Sequence, residues 1–220
     1  MIIMQGKPFE KILEMLKDVG KVFITGCSLC ATFCMAGGEQ QIIEMKERLE
    51  NEGKEVTGFV VFEASCNRLQ VRSALKKKKE ELGKAQAVLC MACGDGAQTV
   101  AGVLEDIPVY PANDTLFIGE VERIGHFSEM CRACGECELG WTAGICPVTR
   151  CAKGLLNGPC GGSRDGKCEL DRENECAWVL IYDRLKKMGR LENIKEIRAP
   201  KDYSRAYNPR KIVLARRKEG

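Results

Sequence analysis

The sequence has little histidine, few aromatic residues and no long apolar run. Its single histidine, His126, argues against a histidine-rich metal site and against a histidine-assisted nucleophile. No stretch of roughly 18 consecutive apolar residues is present, which argues against a membrane partner and a membrane-spanning helix. The formal net charge of +3 indicates no general surface for polyanions, so we expect no nucleic-acid partner. The first residues lack the basic end and continuous apolar core of a secretion signal, so we expect a cytoplasmic protein.

Cysteine, in contrast, is abundant. Fourteen cysteines occur among 220 residues, and eight of them fall between residues 131 and 176. Disulfides are rare in reducing compartments, so metal ligation is the expected role of these thiols. The segment 131–176 is also rich in glycine and charge and poor in large apolar side chains. We therefore expect bound metal, rather than an apolar core, to hold this segment together.

Short apolar strands alternate with amphipathic helices over the first half of the chain. Strands are predicted at 21–25, 56–62, 86–92 and 107–112, and helices at 7–19, 39–53, 68–82 and after residue 93. This alternation predicts an α/β fold, a small parallel sheet with flanking helices of the flavodoxin-like or doubly wound kind. We place this domain at residues 1–120. A cysteine-rich, metal-stabilised second domain at 121–220 would end in a helix and an extended arm.

The cysteines of the first domain follow its predicted strands. Cys27 follows the first strand, Cys66 the second and Cys93 the third, and parallel strands end at one edge of a sheet, where α/β folds bind ligands. Cys30 and Cys34 lie on the turn leaving the first strand and can reach the same place. A tetrathiolate site needs four of these five thiols, so one of Cys30 and Cys34 is expected to be spare. Buried packing is the alternative reading, and we favour it for Cys90.

The second set of cysteines partly matches a ferredoxin pattern. Cys131, Cys134 and Cys137 form C-x2-C-x2-C, and Cys146 is followed directly by proline, but eight residues separate Cys137 from Cys146 where the ferredoxin pattern has three. Four more thiols follow, and eight thiolates suit two 4Fe–4S clusters. By analogy with the ferredoxin order, two ligand sets are expected: Cys131, Cys134, Cys137 and Cys176 in one, and Cys146, Cys151, Cys160 and Cys168 in the other.

Zinc is the competing metal. Structural zinc also takes four thiolates and folds small glycine-rich segments. Zinc ribbons usually contain two separate C-x2-C knuckles, whereas this chain has one such run and it is a triple. We therefore favour 4Fe–4S clusters, two in the second domain and one in the first, with zinc as the alternative at one site.

The remaining charged residues suggest no catalytic machinery. Glu136 and Glu138 are interpreted as solvated loop residues, and the lysines at 76–79 as a solvated helix face or a docking patch for an acidic electron carrier. No Ser/His/Asp arrangement or recognisable general base is present, so an independent enzyme acting at the sheet edge is disfavoured. We expect a non-catalytic subunit of an oxidoreductase.

Four stretches resemble a known family. They are "GCSLCATFCMAGGEQ", "LCMACGDGAQTV", "PANDTLFIG" and "GICPVTRCAKGLLNGPCGGSRDGKCEL", the last followed by "CAWVLIYDRL". The resemblance is to the MetV-type iron–sulfur small subunit of methylenetetrahydrofolate reductase, and it runs from about residue 21 to 203. The same cysteine-rich module is named as a C-terminal domain of that reductase.

The resemblance implies a partner and a role. In the family this subunit accompanies a flavin-containing catalytic subunit that reduces methylene- to methyltetrahydrofolate, with heterodisulfide-reductase-like or other subunits as electron donors. It implies metal-ligand positions at Cys27, Cys30, Cys34, Cys66 and Cys93 and at all eight later cysteines, while Cys90 departs from the family. The function expected is electron transfer to or from that flavin. A zinc-stabilised scaffold that joins the reductase to an electron-bifurcating complex is the alternative.

Overall fold

The chain divides into two compact units, Met1–Ser128 and Glu129–Gly220. The computed structural model describes residues 1–213. Its strands are β1 (Ile2–Gly6), β2 (Lys21–Cys27), β3 (Glu55–Phe62), β4 (Ala87–Met91), β5 (Val109–Pro111), β6 (Asn113–Arg123) and β7 (His126–Cys131). Its α-helices are α1 (Phe9–Met15), α2 (Cys30–Phe33), α3 (Glu39–Asn51), α4 (Arg68–Lys77), α5 (Lys79–Gly83), α6 (Gly94–Ala101), α7 (Pro147–Arg150) and α8 (Ala177–Lys187). Every helix in the described part of the chain is too short or too polar to cross a bilayer.

A four-stranded parallel sheet forms the centre of the first unit. Its strand order is β3-β2-β4-β5, which is the doubly wound order in which the chain starts in the middle and then changes direction. The register pairs Cys27 with Phe62 and Gly26 with Met91, so β2, β3 and β4 end at the same edge. The predicted α/β class is confirmed. The change of direction lies between β2 and β4, the two strands that lead to Cys27 and Cys93.

Apolar side chains cover both faces of this sheet. On one face, α1 and α3 pack on β2 and β4 through residues such as Ile12, Leu49 and Ile24. On the other, α4 and α6 pack through Val71 and Val100. The predicted helix at 68–82 is divided at Lys78 into α4 and α5, because α5 turns inward to place Glu81 against Gly58 of β3.

A second, antiparallel sheet was not predicted from the sequence. It has three strands in the order β1-β6-β7, and β1 at the start of the chain pairs with β6 more than a hundred residues later. Ile3 and Met4 of β1 pack into the same core as α4 and α6. The hairpin formed by β6 and β7 carries the chain past residue 120, where we had placed the end of the first domain.

The second unit contains little regular structure. Its described part has the end of β7, the short helix α7, the helix α8 and two 3-10 turns, Leu191–Lys195 and Tyr203–Ala206. One small apolar cluster forms its core, built on Ile145, Trp178, Ile181 and Leu185. The Trp178 indole N–H donates to the Leu155 carbonyl at 2.9 Å, which anchors the start of α8 to the cysteine-rich loop. Trp178 itself is a buried core residue.

Candidate metal centres

The first candidate centre lies at the carboxyl edge of the parallel sheet. Cys27 is the last residue of β2, Cys66 lies in the loop after β3, and Cys93 immediately precedes α6. Cys30 begins the short helix α2, which leaves the same edge. The parallel sheet therefore brings together loops that are about 30 residues apart in sequence, as the pattern of strands predicted.

Close backbone contacts join these loops to one another. The Ser65 hydroxyl donates to the Gly26 carbonyl at 3.1 Å, which ties the β3 loop to the end of β2. A Cβ on Gly96 would lie 2.7 Å from the Cβ of Ser65, so only glycine lets the start of α6 meet this loop. A Cβ on Gly37 would lie 1.7 Å from the Met91 carbonyl oxygen, at the end of β4. Glycine at these positions permits the approach of the three strand ends.

The thiols at this edge influence one another's ionisation. Burial raises the pKa of Cys66, and the negative charges of Asp95, Cys27 and Cys30 raise it further. Burial also raises the pKa of Cys93, while the backbone amides of Gly96 and Asp95 lower it by hydrogen bonding to its sulfur. The amides at the start of α6 therefore favour the anionic form of the Cys93 sulfur. Among the cysteines, Cys27 and Cys30 act on the pKa of Cys66, and Cys30 also acts on the pKa of Cys93.

The two other cysteines of the first unit are both buried. The Cys34 thiol is buried and lies 3.8 Å from the Ile2 carbonyl oxygen of β1. Burial raises its pKa, and the negative charge of Cys30 raises it further. Cys90 is fully buried within β4, and burial raises its pKa to about 11. This location agrees with the packing role that the sequence predicted for Cys90. Which of Cys30 and Cys34 is the spare thiol stays a prediction.

The second candidate centre is an enclosed pocket in the second unit. Four thiols line it, at Cys151, Cys160, Cys168 and Cys176. The Gly162 N–H donates to the Cys160 sulfur at 3.4 Å, two residues along the chain. Lys153 lines the same pocket and pairs with Glu169. The hydrogen bond to Glu169 raises the pKa of Lys153, and the negative charges of Cys160 and Cys168 also raise it. Lys153 therefore places an ammonium beside these thiols, and Glu169 balances its charge.

The other four thiols of the second unit lie before this pocket in the chain. Cys131 ends β7 and accepts the Ala133 N–H at 3.3 Å, and Ala133 adopts a left-handed conformation with φ 51° to allow it. The Cys134 thiol lies 3.4 Å from the Glu136 carbonyl oxygen, and Cys137 is exposed. Cys146 precedes α7, with its sulfur 3.6 Å from the Thr149 hydroxyl.

This arrangement differs from the pairing suggested by the ferredoxin order. Cys176 lines the pocket with Cys151, Cys160 and Cys168, whereas Cys146 does not. The reason is a small antiparallel turn that the spacing does not reveal. Lys167 bridges to both Arg164 and Glu175, and the Cys176 N–H donates to the Gly166 carbonyl at 2.7 Å, so the chain doubles back.

The donor chemistry of both centres fits a metal bound by thiolates. Within residues 1–213, no three Cys, His, Asp or Glu side chains stand in an arrangement that could hold a metal ion as they are. The fit instead rests on the type and placement of the donors: cysteines follow three strand ends at one edge of the sheet, and four cysteines line one pocket. Backbone amides directed at sulfur, as at Cys131 and Cys160, are among the contacts that tune iron–sulfur centres.

The terminal arm supports the C-x2-C-x2-C loop, and the sequence did not reveal how. Lys201 has a fully buried side chain and donates to the Glu136 carbonyl. Glu138 is buried as well and pairs with Arg198 at 3.1 Å, so its interpretation as a solvated loop residue is wrong. The Arg198 guanidinium also lies over the Trp141 ring, 4.4 Å from its centroid. The extended arm that we predicted therefore lies on the loops of its own unit.

Replacing Glu138 by glutamine is expected to destabilise the second unit by about 3 kcal/mol, because it leaves the buried Lys201 ammonium without a counter-charge. Urea unfolding followed by tryptophan emission measures this loss. The matched control is Glu196→Gln, since Glu196 pairs with the same Arg198 at 3.4 Å but is exposed. We expect the control to change stability by less than about 0.5 kcal/mol. Equal effects from the two variants would contradict the role assigned to Glu138.

The fold and its thiols define a class before any relative is considered. The chain combines a doubly wound α/β unit that gathers thiols at its sheet edge with a second unit built around cysteine-rich loops. Residues 110–204 match a family model described as "Methylene-tetrahydrofolate reductase C terminal". The match spans less than half of the chain and includes all eight cysteines of the second unit. It relates the chain to methylenetetrahydrofolate reductase. A comparison with curated proteins gives no match.

Proposed function

We propose that the chain is an electron-transfer iron–sulfur subunit of a cytoplasmic methylenetetrahydrofolate reductase complex. The observation that carries this proposal is the grouping of thiols. Cys151, Cys160, Cys168 and Cys176 line one pocket inside the segment that matches the reductase family model. The partner of this chain would be a flavin-containing catalytic subunit that performs the folate chemistry. The electron donor to this chain would be a heterodisulfide-reductase-like or similar subunit.

Three sets of thiols would hold the clusters. The sets are Cys27, Cys30, Cys66 and Cys93; Cys131, Cys134, Cys137 and Cys146; and Cys151, Cys160, Cys168 and Cys176. When bound, 4Fe–4S clusters accept and release single electrons at potentials set by their surroundings. Cys34 and Cys90 take no part as ligands in this assignment.

Neighbouring residues would adjust each set differently. Amides at Asp95 and Gly96 donate toward the Cys93 sulfur, and the Ala133 amide donates toward Cys131. Such hydrogen bonds stabilise negative charge on sulfur and raise a cluster's reduction potential. Beside Cys160 and Cys168 stands the Lys153–Glu169 ion pair. The three sets therefore differ in electrostatic surroundings, as a chain of centres with graded potentials requires.

Each set also has at least one exposed thiol. Cys66 is exposed in the first set, Cys131 and Cys137 in the second, and Cys160 in the third. An exposed ligand lets a partner's redox centre approach closely, so electrons can enter and leave without a conformational change. The candidate centres offer no general base, which leaves proton and hydride chemistry to the flavin subunit.

Metal and sulfide analysis of protein purified without oxygen tests this proposal. We expect brown protein with about twelve iron and twelve sulfide per chain, since four thiolates hold one 4Fe–4S cluster. Dithionite should produce electron paramagnetic resonance signals, and the reduced protein should then reduce the flavin of its reductase partner. Colourless protein containing only zinc would overturn the proposal.

A zinc-stabilised scaffold is the second candidate function. The pocket formed by Cys151, Cys160, Cys168 and Cys176 has a volume of about 20 Å³. That is about the space of one water molecule, which suits a single ion. In this case the chain would join the reductase to a larger complex without carrying electrons. The same metal analysis separates the two candidates, because the scaffold binds zinc and no sulfide.

A further inference from the structure

The outer edge of β3 is open over its second half. β3 is the last strand of the parallel sheet and, among the described residues, pairs with β2 alone. The Phe62 carbonyl accepts the Ser28 N–H at 2.8 Å on the β2 side. Because consecutive residues of a strand direct their main-chain groups to opposite sides, those of Val61 point away from the sheet. Such unpaired groups are a template for another strand.

The first half of this edge is protected. A shift in the register leaves Thr57 unmatched, since Val56 pairs with Val22 and Gly58 pairs with Phe23. Such bulges are a common means of protecting an edge. A Cβ on Gly58 would also lie 2.9 Å from the Cβ of Glu81, so α5 covers this point. Only the part from residue 59 to 62, called here the β3 edge, remains open to a partner.

A groove of about 350 Å³ runs beside the β3 edge. One wall is formed by β3 and the other by α4 and the residue after it. The lining residues are Val60, Val61 and Phe62 of β3, Gln70, Ser73, Ala74 and Lys77 of α4, and Lys78, with Glu63 at one end. Gln70 donates through its Nε2 to Glu63 at 3.2 Å, but its buried Oε1 has no hydrogen-bond partner in residues 1–213. A buried acceptor without a donor is costly. This groove therefore offers both apolar surface and an unused acceptor.

The positive charge beside the groove favours an acidic binding partner. Lys77 lines it, is exposed and forms no ion pair within the described residues, and Lys76 and Lys79 are exposed next to it. Only Lys78 of this run is neutralised, by Glu81 at 2.9 Å. Pairing two copies of the chain through this edge would bring two such lysine runs together, which like charges oppose. An acidic segment would be attracted instead.

We propose that the β3 edge and its groove bind an acidic, extended segment of a partner protein by β-strand addition. Main-chain hydrogen bonds to Val61 supply the pairing, the apolar wall receives alternate side chains, and Lys77 meets acidic side chains. The Gln70 Oε1 receives a donor from the incoming segment. This interaction does not depend on metal binding or on the proposed redox role. It supplies acidic side chains as partners for the lysines at 76–79.

A synthetic peptide tests the proposal on the full-length protein as purified without oxygen. The probe is a fluorescein-labelled nonapeptide of alternating glutamate and valine, followed by fluorescence anisotropy. We expect saturable binding that weakens with added salt, because the lysine contacts are exposed. Two control peptides accompany it. One has lysine in place of glutamate, and the other is N-methylated at alternate amides, and each should bind at least about tenfold more weakly.

Variants of the protein locate the site. Val61→Pro removes the outward N–H of an edge position where proline is tolerated, and should weaken peptide binding about tenfold. Its matched control, Val61→Ala, keeps the N–H and should stay within about threefold of the parent protein. Lys77→Glu should reduce the preference for the acidic over the basic peptide. Comparison of the two control peptides on the unaltered protein remains informative if a variant fails to fold.

The proposal is overturned by any of three results. They are absence of binding at millimolar peptide, equal binding of the N-methylated or lysine peptide, and unchanged binding to Val61→Pro. Concentration-dependent dimerisation that Val61→Pro abolishes would also overturn it, because the occupant would then be a second copy of the chain. Sedimentation velocity at several protein concentrations reports this last outcome.

Discussion

Removal of the metal proposed above is expected to unfold the second unit and leave the first unit folded. The described part of the second unit has one small apolar cluster around Ile145, Trp178, Ile181 and Leu185. The first unit has two extensive clusters on the faces of its sheet. A structural metal site contributes on the order of 10 kcal/mol, as much as the whole stability of many domains. The cysteine-rich loops should therefore not remain folded without it.

Tryptophan emission reports this transition selectively. The chain has two tryptophans, Trp141 and Trp178, and both lie in the second unit. Trp178 is 6% exposed, so unfolding should shift its emission strongly to the red. Chelator is added without oxygen, the same chelator saturated with metal serves as the control, and limited proteolysis shows which unit survives. Unchanged emission and uniform resistance to protease would contradict a structural role for the metal.

Substitution of single cysteines in the first unit should produce opposite results at two positions. Cys66→Ser is expected to remove one cluster, or about four iron per chain, because Cys66 belongs to the group at the sheet edge. Cys34→Ser is expected to retain the full iron content, because the Cys34 sulfur faces the Ile2 carbonyl of β1. Iron and sulfide analysis, with the paramagnetic resonance spectrum of the reduced protein, measures both.

Cys90→Ala is the control, because it removes a thiol that is not a cluster ligand in this assignment. Cys90 is fully buried in β4, so this variant should lose some stability and no iron. Loss of iron from Cys34→Ser together with retention in a Cys30→Ser variant would reverse the assignment. That outcome would place Cys34, rather than Cys30, among the ligands of the first set.

The sequence predicted the parallel sheet well because local patterns determine it. Apolar runs such as 21–25 and 86–92 mark buried strands, and each is followed by a cysteine that the sheet brings to one edge. The antiparallel sheet was missed because β1 pairs with β6, more than a hundred residues away. Ile2, Ile3 and Met4 do not alternate with polar residues, so no short-range signal marks them as a strand. Distant pairing of this kind cannot be inferred from periodicity.

The sequence indicated which residues belong to the candidate centres, but it did not show how those residues are grouped. Residue type and compartment indicated that the thiols bind metal, which stays a prediction. Their grouping depends on loops, such as the turn around Lys167 that returns Cys176 to the pocket. Glu138 was misread because a carboxylate in a glycine-rich loop is usually solvated, whereas here Arg198 and Lys201 arrive from sixty residues later. Burial of that kind is set by tertiary contacts.

The arm over the C-x2-C-x2-C loop has a consequence for biogenesis. Arg205 packs closely against Gly135, and Arg210 donates to the Ala133 carbonyl at 2.7 Å. Ribosomes make the loop about 70 residues before these arginines. The loop and its thiols are consequently synthesised before the arm residues that pack on them.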